Sequence, residues 1–277
     1  MNASPTETIF NLEPGDAPLL ISLPHIGTDC PPEIAADWTE AARALPDTDW
    51  HLADIYDFAR RLGVTVLGAC LSRYVIDLNR PPDDAPLYAQ ANRTELCPTR
   101  LFDGRPIYRD GRSPGAAEIA RRRERYWRPY HDALERELTR LHARHGYVVL
   151  WDGHSIKSEL PWLFDGKLPD LNLGTADGRS CAPSLRRALG DALAEQKLFT
   201  YVVDGRFKGG YITRRYGRPA AGRHAVQLEM CWSCYMDEAP PYVLDAARAA
   251  RLRPVLQTLV GIALDWKPSD DDRLAAT

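Results

Sequence analysis

Residues 148 to 155 read Val-Val-Leu-Trp-Asp-Gly-His-Ser, an apolar run that ends in polar residues. The run has the composition of a buried strand, and its carboxyl end delivers His154. Residues 19 to 27 repeat the pattern, because Leu-Leu-Ile-Ser-Leu leads into Pro-His-Ile-Gly, which contains His25. Open α/β sheets bind ligands outside the carboxyl ends of their strands. A single such histidine is more often structural, but two in the same context predict a metal site or a catalytic dyad.

Strand and helix patterns alternate along the whole chain. Further strand-like runs lie at residues 64–71, 74–76, 199–203 and 224–230. Helical periodicity covers residues 33–45, 51–62, 115–145, 182–196 and 243–264, with Pro129 predicting a kink or a break in the longest helix. Residues 81–113 are rich in Pro, Asp, Gly and Arg and predict a long irregular segment. The alternation predicts a single α/β domain over residues 1–277, with a mixed, mostly parallel sheet flanked by helices.

The composition excludes several classes of function. The 277 residues carry a net charge of −3, which provides no field to attract nucleic acid. Apolar stretches stay shorter than the roughly 18 residues that span a bilayer, and the polar N-terminus does not resemble a signal peptide, so we expect a cytoplasmic protein. The glycine motifs of nucleotide-binding loops do not occur. The six cysteines are too sparse for a disulfide framework. Cys231 and Cys234 have C-x-x-C spacing, but reduced thiols packed beside a strand fit them better than a redox or zinc site.

Two carboxylates stand where chemistry could use them. Asp49 precedes a predicted helix, where it is either an N-cap or a metal ligand. Two histidines and one carboxylate form a usual catalytic zinc site. Glu229 lies within an otherwise apolar strand, where a carboxylate is costly unless it is paired or functional. A glutamate beside a metal site is the general base that amide hydrolysis needs.

Two further segments carry candidate binding groups. Arg73, Asn79 and Arg80 flank the run at 74–76 and could bind a carboxylate or form structural ion pairs. The paired glycines at 209 and 210 either allow close approach of a ligand or form a plain hairpin turn.

Taken together, these motifs resemble one family. They read Pro24-His25-x-Gly27, Asp47-Thr-Asp49-Trp-His51, Ser72-Arg73-Tyr-Val-Ile-Asp77-Leu-Asn79-Arg80-Pro81, Asp152-Gly-His154-Ser155, Phe207-Lys-Gly-Gly-Tyr-Ile-Thr213-Arg214 and Gln227-Leu-Glu229. Each motif is modest alone, but their joint order resembles the N-formylglutamate deformylase, or amidohydrolase, family. The resemblance covers roughly residues 17–265, which it implies as the core of the domain. A wider likeness to zinc carboxypeptidases and aspartoacylase implies a fold of that type.

The resemblance implies a role for each motif. His25 and His154 would be metal ligands, Arg73 would polarise the scissile carbonyl and Glu229 would be the base. Asn79 and Arg80 would hold a substrate carboxylate. The later segment would contribute further substrate-binding residues, namely Lys208, Gly210, Tyr211, Thr213 and Arg214, with Arg214 or Lys208 as a second cationic anchor.

One position departs from the pattern of the zinc carboxypeptidases. Those relatives place an acidic ligand three residues after the first histidine, where this chain has Thr28. We expect Asp49 to replace it, ahead of Glu33 and Asp29.

The implied reaction is metal-dependent hydrolysis of N-formyl-L-glutamate to formate and L-glutamate, a late step of histidine degradation, with one divalent ion, Zn²⁺ by expectation. The partner would be a small dicarboxylate amide, with neither nucleic acid nor a membrane involved. The alternatives are another N-acyl-amino-acid amidohydrolase, such as an aspartoacylase-like enzyme, and a non-catalytic binder of small acidic amides. The sequence does not determine the oligomeric state.

Overall fold

The centre of the fold is a mixed sheet. The computed structural model describes residues 8–86 and 94–274, without the side chains of residues 273 and 274. Within these residues seven strands pair in the order β1-β3-β2-β4-β7-β5-β6. The strands are β1 (Phe10–Glu13), β2 (Leu19–Leu23), β3 (Thr65–Ala69), β4 (Val148–Ile156), β5 (Leu171–Gly174), β6 (Tyr201–Val203) and β7 (Arg223–Cys231).

Parallel pairing dominates the middle of the sheet. Strand β2 runs parallel to β3 and β4, and β4 runs parallel to β7. Antiparallel pairing occurs between β1 and β3 and between β5 and β7. Every residue of β2 and β4 is buried, as expected for strands covered on both faces. The predicted α/β class with a mostly parallel sheet is confirmed.

Helices cover both faces of the sheet. They are α1 (Pro32–Ala35), α2 (Glu40–Arg43), α3 (Leu52–Ile55), α4 (Ala116–Arg122), α5 (Arg128–His145), α6 (Pro183–Glu195), α7 (Tyr211–Tyr216), α8 (Ala246–Asp265) and α9 (Asp270–Leu274). Helices α5 and α7 pack on one face of the central strands, and α3 and α8 contact β4 from the other. Successive side chains of a strand point to opposite faces of the sheet, so each strand packs against both helical layers. Leu20 and Leu150 pack on the α5 side, whereas Ile21 and Trp151 pack on the α8 side.

Several predicted elements differ from the structure. The prediction of a strand at 74–76 is wrong, because these residues form a turn in which Val75 N donates to Ser72 O. The helix at 33–45 is divided into α1 and α2, since the Thr39 side chain caps a new helix at Glu40. The helix around Pro129 neither breaks nor ends. A π turn at Arg123–Trp127 joins α4 to α5 and accommodates the proline that follows, which has no N–H to donate.

The remaining segments agree with expectation where the structure describes them. Residues 81–86 and 94–113 contain no helix or strand, and the rest of that predicted irregular segment lies outside the described residues. Cys231 and Cys234 are free, buried thiols. Among the described residues, no helix is both long and apolar enough to cross a membrane.

Candidate metal and active site

The carboxyl ends of β2, β4 and β7 bring the predicted chemical groups together. His154 of β4 lies directly beside Glu229 of β7 in the parallel register. His25 lies two residues beyond β2, and its carbonyl accepts a hydrogen bond of 3.0 Å from Asp49 N. All four side chains are buried. The sheet therefore assembles residues that are up to 204 positions apart (from 25 to 229) into one site.

His25, Asp49 and His154 form a compact group that could hold a metal ion. Each offers one ligand atom, and these atoms lie within 4.8 Å of one another. Asp49 Oδ2 is 3.3 Å from His154 Nδ1 and 3.8 Å from His25 Nδ1. His25 Nδ1 and Asp49 Oδ1 are buried without a hydrogen-bond partner among the described residues. Buried polar atoms rarely stay unpaired, so these two atoms are suited to bind a cation.

Two buried aspartates orient the histidine rings. His25 Nε2 is 2.8 Å from Asp77 Oδ1, and His154 Nε2 is 3.1 Å from Asp152 Oδ2. A carboxylate on one ring nitrogen keeps the proton there and directs the other nitrogen toward a metal. Sequence reasoning quoted both aspartates but gave neither a role. Alternation could have indicated Asp152, which shares a strand face with His154.

The electrostatics of the group favour a bound positive charge. Burial and the nearby Arg73 charge lower the pKa of His25, so its ring is neutral at pH 7, as a ligand must be. Burial lowers the pKa of His154, but Asp152 and Asp49 outweigh burial and raise it well above its usual value. Surroundings that stabilise a proton on His154 would also stabilise a cation at the same place.

Asp49 does not act as a helix cap. Its Oδ2 accepts a hydrogen bond of 3.2 Å from Ser155 N, at the end of β4. Helix α3 begins after His51, whose backbone has a φ of 61°. The two other candidates for the acidic ligand, Asp29 and Glu33, are exposed and stand outside the group.

The environment of Glu229 favours the protonated form of its carboxyl group. Burial is the main reason that its pKa is raised to about 8, and the His154 charge opposes that effect. Gln227 Nε2 lies 3.4 Å from its Oε2. A bound dication would lower this pKa and leave a carboxylate next to the metal ligands.

Arg73 is held rigidly at the edge of the group. Its Nη2 donates to Asp77 Oδ2 at 2.6 Å, and its guanidinium lies 4.6 Å from the centre of the Phe102 ring. Asp77 therefore contacts both a candidate metal ligand, His25, and the candidate catalytic arginine. Although burial favours the neutral acid, the Arg73 charge holds the pKa of Asp77 well below its usual range.

Asn79 is fixed by the start of helix α7. Its Oδ1 accepts a hydrogen bond of 2.8 Å from Ile212 N, and its Nδ2 lies 2.9 Å from His154 Nε2. A Cβ at Gly210 would stand 2.4 Å from Asn79 Nδ2, so only glycine permits this approach. The paired glycines thus begin a helix rather than a hairpin. Arg80 is partly buried, and its Nε donates to Thr94 Oγ1 at 2.8 Å.

Four predicted substrate-binding residues do not line the cavity at this site. Lys208 pairs with the exposed Asp177 at 2.8 Å, and Arg214 Nε donates to Gly209 O. Thr213 is buried, and its Oγ1 donates to Asp152 Oδ2 at 3.4 Å. The ring of Tyr211 packs against Trp127 and His131. Their binding roles remain predictions.

A cavity of about 160 Å³ opens onto the group. Its walls hold the candidate ligands, the candidate base, Arg73 and Arg80, together with apolar rings and one unpredicted cation, Arg206. The lining includes His25, Asp49, Arg73, Asn79, Arg80, Phe102, His154, Phe164, Arg206, Phe207, Gly210 and Glu229. Arg206 went unnoticed because it stands alone before the glycine motif, with no local pattern to indicate it.

Comparison with known proteins places this arrangement in a family. A family model described as N-formylglutamate amidohydrolase matches residues 17–236. The chain belongs to the N-formylglutamate amidohydrolase family. The match begins at the first residue of the predicted core, and the predicted resemblance is confirmed. As a member of the family, the protein is an enzyme that hydrolyses an amide bond.

Known relatives of this amidohydrolase align with it over most of their length. The N-formylglutamate deformylase of Pseudomonas aeruginosa is 50% identical over 260 residues, which cover 94% of this chain and 97% of the relative. That of Pseudomonas putida is 49% identical over the same shares. A crystal structure of N-formylglutamate amidohydrolase from Ralstonia eutropha JMP134 is 30% identical with a TM-score of 0.77, covering 92% of this chain and 97% of that one.

Proposed function

We propose that this amidohydrolase converts N-formyl-L-glutamate and water to formate and L-glutamate, with one divalent metal ion, Zn²⁺, held by His25, Asp49 and His154. The observation that carries the proposal is the buried histidine–aspartate–histidine group with Glu229 beside it on the neighbouring strand. The names of the Pseudomonas relatives support the substrate.

The donor set fits zinc. Two imidazole nitrogens and one carboxylate oxygen, with a position left open, are a common set of ligands in catalytic zinc sites. His25 Nδ1 and Asp49 Oδ1 lack hydrogen-bond partners among the described residues, and Asp77 and Asp152 hold the opposite ring nitrogens. When bound, the ion supplies Lewis acidity, which lowers the pKa of water and polarises a carbonyl.

Glu229 moves the protons. Its carboxylate takes a proton from the attacking water and later gives it to the leaving amine, so that L-glutamate departs with a neutral amino group. The same carboxylate serves both halves of this cycle, because the carboxylic acid formed in the first proton transfer is the donor in the second. Gln227 restricts the position of the carboxylate from the same strand face.

The arginines neutralise and orient the substrate. Arg73, fixed by Asp77 and Phe102, shares the negative charge that develops on the formyl oxygen. Arg80 lines the same cavity and binds the α-carboxylate next to the scissile amide. Asn79 Oδ1 accepts a hydrogen bond from Ile212 N and so holds the start of α7 beside the site.

A formate-release assay on purified protein, with metal analysis of the same sample, tests the proposal. We expect stoichiometric zinc, release of formate from N-formyl-L-glutamate, and loss of both after chelation with recovery on adding Zn²⁺. A preference for N-acetyl-L-aspartate would instead favour the aspartoacylase-like alternative. Binding of either amide without turnover by the metal-loaded protein would favour a non-catalytic binder.

A further inference from the structure

The substrate proposed above carries a second carboxylate at the end of its side chain, and the cavity contains a cation that the sequence did not indicate. The cavity walls hold three arginines, Arg73, Arg80 and Arg206. Arg73 is ion-paired with Asp77 next to the metal group. The predicted second anchors, Lys208 and Arg214, are absent from the walls of this cavity. A distal carboxylate therefore needs another partner.

Arg206 is the most exposed of the three arginines that line the cavity. It is exposed, whereas Arg80 is partly buried and Arg73 is buried. In L-glutamate two methylene groups separate the α-carbon from the distal carboxylate. With the formyl group at the metal group and the α-carboxylate at Arg80, the remaining arginine of the same cavity, Arg206, would be the partner for the distal carboxylate.

The surroundings of Arg206 hold its guanidinium in a defined orientation. The group lies over the Phe164 ring, 5.1 Å from its centre, and Nη2 donates to Leu163 O. Phe164 is itself buried and meets Phe207 edge-on, with ring centres 6.4 Å apart. A ring face contacts the flat side of a guanidinium, and the in-plane N–H groups of a guanidinium match a carboxylate in bidentate geometry.

We propose that Arg206, stacked on Phe164, binds the distal carboxylate of the substrate and makes this enzyme selective for N-formylated dicarboxylic amino acids. The inference rests on the proposed function, since it assigns the second charge of the same substrate. It replaces neither Arg80 nor the metal group. It assigns to one exposed side chain the discrimination between glutamate and neutral residues of the same length.

The test compares two substrates of equal shape. N-formyl-L-glutamine differs from N-formyl-L-glutamate only in carrying a neutral amide where the distal carboxylate stands. In the wild type, kcat/KM should favour the glutamate substrate. Arg206→Ala should lower that preference roughly 10- to 100-fold, mainly through KM, because a charge-assisted bidentate contact is lost far from the reacting atoms. Arg206→Lys should recover only part of it.

Arg60→Ala is the matched control. Arg60 is an exposed arginine paired with Glu13 at 2.6 Å, and it lies outside the cavity walls. It should leave the preference unchanged. An unchanged preference in Arg206→Ala would overturn the inference, as would a loss of preference in Lys208→Ala or Arg214→Ala in its place.

Binding of glutarate separates this inference from the proposed function. Calorimetry on the zinc-loaded protein measures the contact without turnover, and Arg206→Ala should weaken glutarate binding much more than butyrate binding. If the wild type releases no formate but Arg206 still controls glutarate affinity, the proposed reaction fails and the assignment of Arg206 stands. Equal affinities in wild type and variant would overturn the assignment even in an active enzyme.

Discussion

The strand ends and helix α5 both bury histidine, and they use it in opposite ways. His25 and His154 at the strand ends are each 3% exposed, and His131 within helix α5 is 4% exposed. His131 nonetheless has a protein partner for each nitrogen, because Nε2 donates to Leu78 O and Nδ1 accepts from Tyr216 OH, both at 2.9 Å. Its ring stacks on Trp127 with centres 3.7 Å apart. Burial alone therefore does not distinguish a ligand from a structural histidine.

What separates the two regions is the neighbourhood of each ring. His25 and His154 each carry a buried carboxylate on one nitrogen, and His25 Nδ1 lacks any partner among the described residues. His131 is surrounded by aromatic rings, and burial lowers its pKa to about 3. Surplus negative charge with an unpaired nitrogen indicates a cation site, whereas complete pairing indicates a structural role.

The largest expected effect is loss of the metal. His25→Ala and His154→Ala should each remove the bound ion and reduce formate release to that of a protein-free blank, because each deletes a ligand and leaves buried acids unbalanced. His131→Phe is the matched control and should keep stoichiometric metal. Metal analysis by mass spectrometry measures all three, and full metal content in the strand-end variants would refute the assignment.

Glu229→Gln should slow catalysis without removing the ion. The amide keeps the shape of the side chain but cannot accept a proton, so kcat should fall by about 10²- to 10⁴-fold with little change in KM. Steady-state kinetics with metal analysis tests this. A loss of less than about tenfold would make Glu229 structural, like His131, and require another base.

His131→Phe should affect stability rather than catalysis. It preserves the stack but leaves Leu78 O unpaired and leaves Tyr216 OH only its longer contact of 3.4 Å with the backbone carbonyl of residue 131, so the free energy of unfolding should fall by roughly 1–3 kcal/mol. Denaturant titration measures the change. The double variant with Tyr216→Phe should lose less than the sum of the two single losses, since each single change strands the other partner. Strict additivity would argue against this hydrogen bond.

The pH dependence of stability should reflect the lowered pKa of His131. The pKa of His131 is lowered from 6.5 to about 3 in the folded protein, so between these values the unfolded chain binds the extra proton. This contribution to stability is present above about pH 6.5 and is lost as the pH falls. Below that pH, metal-free wild type should therefore lose up to about 1.4 kcal/mol per pH unit more than metal-free His131→Phe. Parallel curves would show that His131 titrates normally.

Local patterns were sufficient for much of the fold and for the innermost residues of the site. The apolar runs ending in His25 and His154 predicted strands, and parallel strands necessarily bring their carboxyl ends to one edge of a sheet. Glu229 was visible as a carboxylate in an apolar strand, which is costly without a purpose. The element bounds failed where side chains decide them, as at Thr39, whose hydroxyl starts a new helix.

Tertiary structure alone decided which of several acids and cations belong to the site. Asp29, Glu33 and Asp49 were all candidates for the ligand, and only the backbone bond to His25 and the approach to Ser155 bring Asp49 inward. A hydrogen bond between residues far apart in the chain leaves no periodic signal.

Contacts between residues far apart in the chain also decide which cations face the cavity. The sequence by itself determined which chemical groups follow the predicted strands and which family the chain resembles, because those depend on local composition and on the joint order of motifs. Whether Lys208, Arg214 or Arg206 faces the cavity depends on the turn before α7 and on packing against Phe164. Neighbouring residues in a loop point in directions that only their tertiary contacts select.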